Sequence, residues 1–198
     1  MNIWNSKEKE ERAEELIYEL LELIGEDPNR EGLKETPKRA VKMIKEVLEG
    51  TTLSNEEIAK LHGKCFEEDY VQRDSNEMVI VSDIPIFSFC EHHLALMYNM
   101  TVTVAYIPNG KVIGLSKIAR IAETVSKRLQ LQERISKDIS DVIRLATDSS
   151  DVAVIIKGEH ACMTTRGIKK PGTFTKTNYF TGKFKEDFNL RQELLLSL

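Results

Sequence analysis

The order in which strand and helix patterns follow one another from residue 77 onward constrains this chain more than any other feature. Residues 77–90 and 100–107 are rich in Val, Ile, Phe and Thr, and Val102, Val104 and Tyr106 alternate with small or polar neighbours. That alternation is the period of a strand with one buried face. Pro108-Asn109-Gly110 is a turn. Residues 114–130 and 132–148 then carry apolar side chains at helical spacing: Ile118, Ile121, Ala122 and Val125 in the first, Ile135, Ile139 and Val142 in the second. Strand patterns return at 151–163 and 173–184, and a short helix is expected at 191–198. Strands and helices thus come in blocks, ββααββ, rather than in βαβ alternation. The fold class expected is α+β, a mainly antiparallel sheet backed by helices.

Ahead of this block the patterning is helical. Ala13, Ile17, Leu20, Leu21 and Ile24 mark an amphipathic helix over 8–24 that Gly25 ends. Thr36 as N-cap, Pro37 at the first helical position, Val41, Ile44 and Leu48 mark a second, with Gly50 beyond it. Ser54 and Glu57 have the spacing of a capping box ahead of Ile58 and Leu61, with Gly63 as the stop. The character changes near Val71, so the chain divides into an N-terminal helical extension, 1–70, and a sheet-and-helix domain, 71–198.

With 198 residues the chain can bury a core without staples. Its longer apolar runs, 94–98 and 152–156, fall far short of the ~20 residues that span a bilayer, so no membrane role is expected. The amino terminus turns charged at once and lacks an apolar signal core, which predicts a cytoplasmic protein with reduced thiols. A net charge of −4 argues against a broad nucleic-acid footprint, and an anionic ligand would need a local basic cluster.

The chemistry-bearing residues are Cys90-Glu91-His92-His93 and, far downstream, His160-Ala161-Cys162. Cys90-x-x-His93 alone is equally a buried thiol and a satisfied imidazole. The second cluster changes that reading. Cys162 and His160, two apart in the strand expected over 151–163, would face one side, and an antiparallel sheet can bring them to Cys90 and His93. Two thiolates and an imidazole suit Zn²⁺, and three protein ligands leave a position for water. Cys65 reads as a small buried hydrophobe and His62 as a surface residue. His92 and His160 are left over as groups able to move protons near neutral pH. Ser116, the expected N-cap of the helix over 114–130, stands with Lys117 and Arg120 where free N–H groups and cations would suit phosphate, although ordinary capping explains Ser116 equally well. Arg166 lies four residues beyond Cys162. Glu133 and Gln132 open the next helix, where an acid is often only a dipole partner.

SFCEHH (88–93), VAYIP (104–108), GLSKIAR (114–120), QLQER (130–134), HACM (160–163) and RGI (166–168) resemble the GTP cyclohydrolase I family in order and separation, as do GEDPNREGL (25–33) and ETPKRAVKM (35–43). The resemblance implies a T-fold, an antiparallel sheet with two helices on one face, assembled into a homo-oligomeric ring, typically a decamer of two stacked pentamers. It implies one Zn²⁺ per subunit on Cys90, His93 and Cys162, with His92 and His160 handling protons around the purine and Ser116 assisting later steps. Glu133 would accept the guanine N–H groups with Gln132 beside it. Lys117, Arg120 and Arg166 would hold the triphosphate, joined by Arg39 from an adjacent subunit. The implied reaction is hydrolytic: water attacks C8 of GTP, formate leaves, and 7,8-dihydroneopterin triphosphate forms on the way to tetrahydrofolate, other pterins or deazapurines. A paralogous T-fold enzyme with another purine or pterin substrate would share the fold, but Lys117, Arg120 and Arg166 point to a nucleoside triphosphate. A zinc-binding scaffold would have no use for the two extra histidines. The chain departs from the family at Asn99, where glycine is usual, and at the bulky Asn178-Tyr179-Phe180.

Overall fold

The computed structural model describes residues 6–68 and 77–198. The chain forms two compact units that part between Thr52 and Leu53. The boundary read from sequence, 70/71, falls outside the described residues.

In the first unit, α1 (Lys7–Leu23) starts at Ser6, whose hydroxyl accepts from Lys9 N at 3.2 Å. It ends as expected at Gly25, where φ is +90° and the N–H reaches back to Glu22 O. α2 (Thr36–Val47) begins one residue earlier than its pattern suggests. Thr36 is already helical, and Glu35 holds the cap position without a side-chain bond. Pro37 fits there because first-turn N–H groups have no helical partner in any case. The two helices pack together and share a Lys45–Glu10 ion pair, and a 3₁₀ turn over Glu49–Thr52 follows.

The second unit opens with α3 (Asn55–His62). Both halves of the capping box are made: Ser54 Oγ accepts from Glu57 N at 3.2 Å, and Glu57 accepts from Ser54 N at 2.7 Å. β1 (Cys65–Glu67) follows, then β2 (Val79–Cys90) and β3 (Ala95–Tyr106), β4 (Lys111–Ile113), α4 (Leu115–Ser126), β5 (Leu129–Gln130) and α5 (Gln132–Thr147). The chain finishes with β6 (Val152–His160), α6 (Ala161–Thr164), β7 (Thr175–Phe180), α7 (Lys183–Glu186) and α8 (Phe188–Leu196). β1 and β4 form a small antiparallel pair. The main sheet runs β5-β2-β3-β6-β7, antiparallel throughout except for the short parallel contact of β5 with β2. Among the described residues, no helix is long and apolar enough to cross a membrane.

Alternation decides which sheet face is covered. Ile84, Val102, Val104, Val154 and Ile156 point to one side and meet Ile118, Ile121 and Val125 of α4 and Ile135, Ile139 and Val142 of α5. This is the expected sheet with two helices on one face, and Ile58 of α3 joins the same cluster. A fully buried Ile or Val contributes about 1.5–3 kcal/mol, so this face carries most of the cohesion. The opposite face is covered at one end by Phe184, Leu190 and Leu194 of the C-terminal helices, packed on Ala105, Ile107 and Ala153.

Four expectations are corrected. The strand over 151–163 stops at His160, and Cys162 lies on the helical turn α6. The strand over 173–184 runs only Thr175–Phe180, and the final helix starts at Phe188. Ser116 is not an N-cap: Gly114 holds that position, and no side chain caps α4. At the two family departures the chain is accommodated. Asn99 takes φ +47° in a bulge of β3, and Phe180 packs against the second cluster.

Gly158 of β6 faces the helices so closely that an added Cβ would lie 2.7 Å from Met100 Cγ and 3.3 Å from Gln132 Oε1. Gly158→Ala should therefore overpack the sheet and cost about 1–3 kcal/mol, measured as a lower urea midpoint.

Candidate active site

β2 ends at Cys90, which is 5% exposed. The turn 91–94 then reverses the chain into β3 and presents His92 and His93 to solvent, their rings edge to face at 6.3 Å between centroids. From the far side of β3, β6 ends at His160 and the α6 turn brings Cys162 back toward the same end of the sheet. One ligand atom each from Cys90, His93 and Cys162 lies within 4.8 Å of the other two. Two sulfurs and an imidazole nitrogen so close together fit a divalent metal of zinc's preference, with three protein ligands. Cys65 is elsewhere. It sits on β1 with its thiol donating to Ala146 O at 3.2 Å, and burial pushes its pKa up. It was read as a small buried group in the helical extension; it is only partly buried, on a strand of the larger unit.

β5 fixes the turn from the other side. Cys90 is in register with Gln130, and Glu91 N donates to Gln130 O at 3.1 Å. The Gln130 side chain donates to Asp138 Oδ2 at 2.9 Å, and Arg128 donates to the same oxygen at 3.1 Å and to Leu53 O at 2.8 Å. Arg134 then grips Glu91 with both terminal nitrogens, at 2.5 and 3.1 Å, which holds the Glu91 carboxyl below its usual range.

Gln132 is 1% exposed. Its Nε2 donates to Ile156 O at 3.2 Å and Thr175 O at 3.1 Å, with Thr177 Oγ1 at 3.3 Å. Those carbonyls fix the amide orientation and aim Oε1 at His160 Nε2, 2.8 Å away. An amide oxygen only accepts, so His160 donates through Nε2 and keeps Nδ1 for other work. Burial lowers the His160 pKa, and the Glu133 carboxylate partly offsets this. Glu133 itself is exposed on the first turn of α5.

Ser116 and Arg120 are exposed and Lys117 is half-buried on α4. His62, expected at the surface, is half-buried beside them, with Nε2 3.1 Å from Thr124 Oγ1. Burial first, then the charges of Arg120 and Lys117, lower its pKa. Arg166 is exposed just after α6, and Arg39 is exposed on the first turn of α2 in the first unit. The structure therefore gathers the three ligands, and separately His160 with Gln132. Sequence reasoning missed the His160–Gln132 bond and the Glu91–Arg134 clamp, because both join residues more than 25 apart.

An antiparallel α+β domain whose sheet ends in a Cys-His-Cys cluster able to hold a metal ion, with His92 beside it in the same turn, defines the class of protein. The chain belongs to the GTP cyclohydrolase I family, whose sequence model matches residues 13–198. It is 62% identical over 186 residues to GTP cyclohydrolase 1 of Clostridium beijerinckii, covering 93% of this chain and 94% of that one. It is 59% identical to the enzyme of the same name from Clostridium acetobutylicum, over 92% of this chain and 93% of that one. The corresponding protein of Ruminiclostridium cellulolyticum is also 59% identical, over 93% of this chain and 95% of that one.

Cys162→Ser should abolish stoichiometric metal binding, whereas Cys65→Ser should retain it, as read by elemental analysis of purified protein. Because thiolates bind only when deprotonated, occupancy of the parent should fall as the pH is lowered.

Proposed function

We propose that this chain opens the imidazole ring of GTP by hydrolysis, releases C8 as formate and forms 7,8-dihydroneopterin triphosphate. The observation that carries the reading is the convergence of Cys90, His93 and Cys162 within 4.8 Å at one end of the sheet. Zn²⁺, one per subunit, is the metal this donor set suits, and when bound it would supply the Lewis acidity that makes water nucleophilic near neutral pH.

The protein's own groups do the rest. Glu133 accepts hydrogen bonds from the guanine N–H edge, which a carboxylate does better than a neutral acceptor. Gln132, whose amide is committed to β6, β7 and His160, serves the guanine edge by holding the histidine rather than by touching the base. Among the described residues His160 Nδ1 has no partner, and burial, which lowers the pKa, favours the neutral ring. His92 in the exposed turn is its partner in moving protons: one takes a proton from the attacking water, the other delivers one to the ring nitrogen that leaves C8. A second hydrolysis frees formate. The ribose then opens and rearranges with help from Ser116, and ring closure expels water.

Lys117, Arg120 and Arg166 bind the triphosphate, and Arg39 reaches it from a neighbouring chain. As a cation in the first turn of α2, Arg39 opposes the helix dipole and gains nothing locally. In this reading the domain read from sequence as 71–198 carries the chemistry, with α3 packed into its core, and α1 and α2 ahead of it serve the assembly. The homo-oligomer is a ring, a decamer of two stacked pentamers. What supports it is the sheet itself: among the described residues β7 pairs on one side only, and β2 is covered only at Phe89 and Cys90. Open edges of one sheet are templates for pairing with the next copy.

Incubated with GTP, the purified protein should release formate and develop a pteridine absorbance. His160→Ala and His92→Ala should retain metal and lose ~10²–10⁴-fold in turnover, the usual contribution of a positioned acid or base. Parent-like turnover in either variant removes that residue from the mechanism.

Shared sites give a separate expectation. Inactive Arg39→Ala chains mixed with inactive His160→Ala chains should recover part of the activity once subunits exchange, because some pockets then combine two intact halves. No recovery after verified exchange places Arg39 outside its neighbour's site.

A further inference from the structure

The bulge in β3 does more than bend a strand. Tyr98 pairs with Glu159 and Thr101 with Lys157, so Asn99 and Met100 together oppose Gly158. Asn99 takes φ +47° there, a left-handed conformation that asparagine tolerates better than most residues. Its Nδ2 donates to Glu159 Oε1 at 2.8 Å, and the other carboxylate oxygen accepts the backbone N–H of Gly172 at 3.2 Å. The neighbouring Tyr98 hydroxyl donates to Thr164 Oγ1 at 2.9 Å.

Glu159 is 7% exposed, and a buried carboxylate needs donors aimed at it. Both of its donors here are neutral, and they come from segments far apart in sequence. Two adjacent side chains of one bulge therefore reach the two ends of the same stretch: Thr164 near its start directly, and Gly172 at its end through Glu159. Between them the chain passes through positive φ at Gly167, Lys169 and Gly172. Its backbone bonds are local, Thr165 N to Ala161 O, Lys169 N to Arg166 O and Lys170 N to Met163 O. Such a stretch has no ladder to fix it in space, so its position depends on its anchors.

We infer that the β3 bulge is a clamp that positions residues 161–172: Tyr98 steadies the turn that carries Cys162, and Asn99 with Glu159 sets the loop that carries Arg166. These are positioning residues, acting through groups that meet metal and phosphate. The inference rests on the proposed roles of Cys162 and Arg166.

The test uses the metal-loaded full chain. Asn99→Gly keeps the backbone, because glycine adopts positive φ freely, and removes only the bond to Glu159. Glu159→Gln keeps the shape and weakens the acceptor facing Gly172. In both variants amide exchange across 165–174, followed by mass spectrometry, should accelerate about tenfold while α4 and α5 exchange as in the parent. KM for GTP should rise about fivefold with kcat within about twofold. Tyr98→Phe should weaken metal binding about tenfold in a chelator competition, because the turn that carries Cys162 loses its bond at Thr164. Parent-like exchange in both Asn99→Gly and Glu159→Gln overturns the clamp, as does acceleration spread evenly over the sheet, which would mean general loss of packing. Unchanged metal affinity in Tyr98→Phe overturns its Cys162 arm. Arg166→Ala separates the two readings: a KM unchanged in that variant removes the phosphate role of Arg166, while the exchange data still decide whether the loop is clamped.

Discussion

The pairing register of three strands is the constraint on which the rest of this molecule depends. Cys90 of β2 lies opposite Ala95 of β3, and Met97, two residues on, lies opposite His160 of β6. With neighbouring strands about 4.8 Å apart, the ends of β2 and β6 are separated by about 10 Å across β3. That gap is small enough for the turn after Cys90 and the α6 turn after His160 to close, and the three ligand atoms meet there. A slip of one residue in either ladder would turn every side chain of the shifted strand to the other face. The core and the convergence of Cys90, His93 and Cys162 would be lost together, so the stability of the sheet and the geometry of the cluster are one requirement.

Around this end of the sheet most buried polar groups are held in pairs and chains, although Gln130 Oε1 has no partner among the described residues. Gln132 gives its amide hydrogens to β6 and β7 and its oxygen to His160. Arg128 and Asp138, each with a side chain only 14% exposed, tie β5 to α5 and stabilise the segment alongside Cys90. Charges buried to this degree are tolerable only when hydrogen-bonded on several sides, and here Asn55, Gln130 and Leu53 O supply those bonds. Rigid supports of this kind hold a reacting group in place without a conformational search. His92, Glu133, Arg120 and Arg166 are exposed.

Among the described residues β7 and most of β2 pair on one side only, and the outer sheet face is covered only in part, features that the proposed assembly would use. Phe87 on β2 is 63% exposed. A ring that closes the sheet on itself would remove both edges and cover such residues, which is how the proposed assembly and the proposed shared site support each other.

The sequence by itself determined the block order of strands and helices, the faces they bury and the helix start at Ser54, because these depend on periodicity and on contacts within a few residues. It also nominated Cys90, His93 and Cys162, since ligand chemistry is written in residue type. Only the tertiary structure decided how they are presented. Cys162 was read onto the strand over 151–163, yet a four-residue helical turn takes it off the sheet and brings it to Cys90 and His93. Ser116 has the chemistry of a cap, but Gly114 takes that position because the chain enters α4 from β4 two residues sooner than Ser116 suggests. The partners of Gln132, Glu159 and Tyr98 left no local trace, since each bond joins residues 13 to 66 positions apart and exists only once the register of β3 and β6 has been set. Local pattern fixes what a segment is; long-range pairing fixes what it touches, and the chemistry proposed for this site rests on the second.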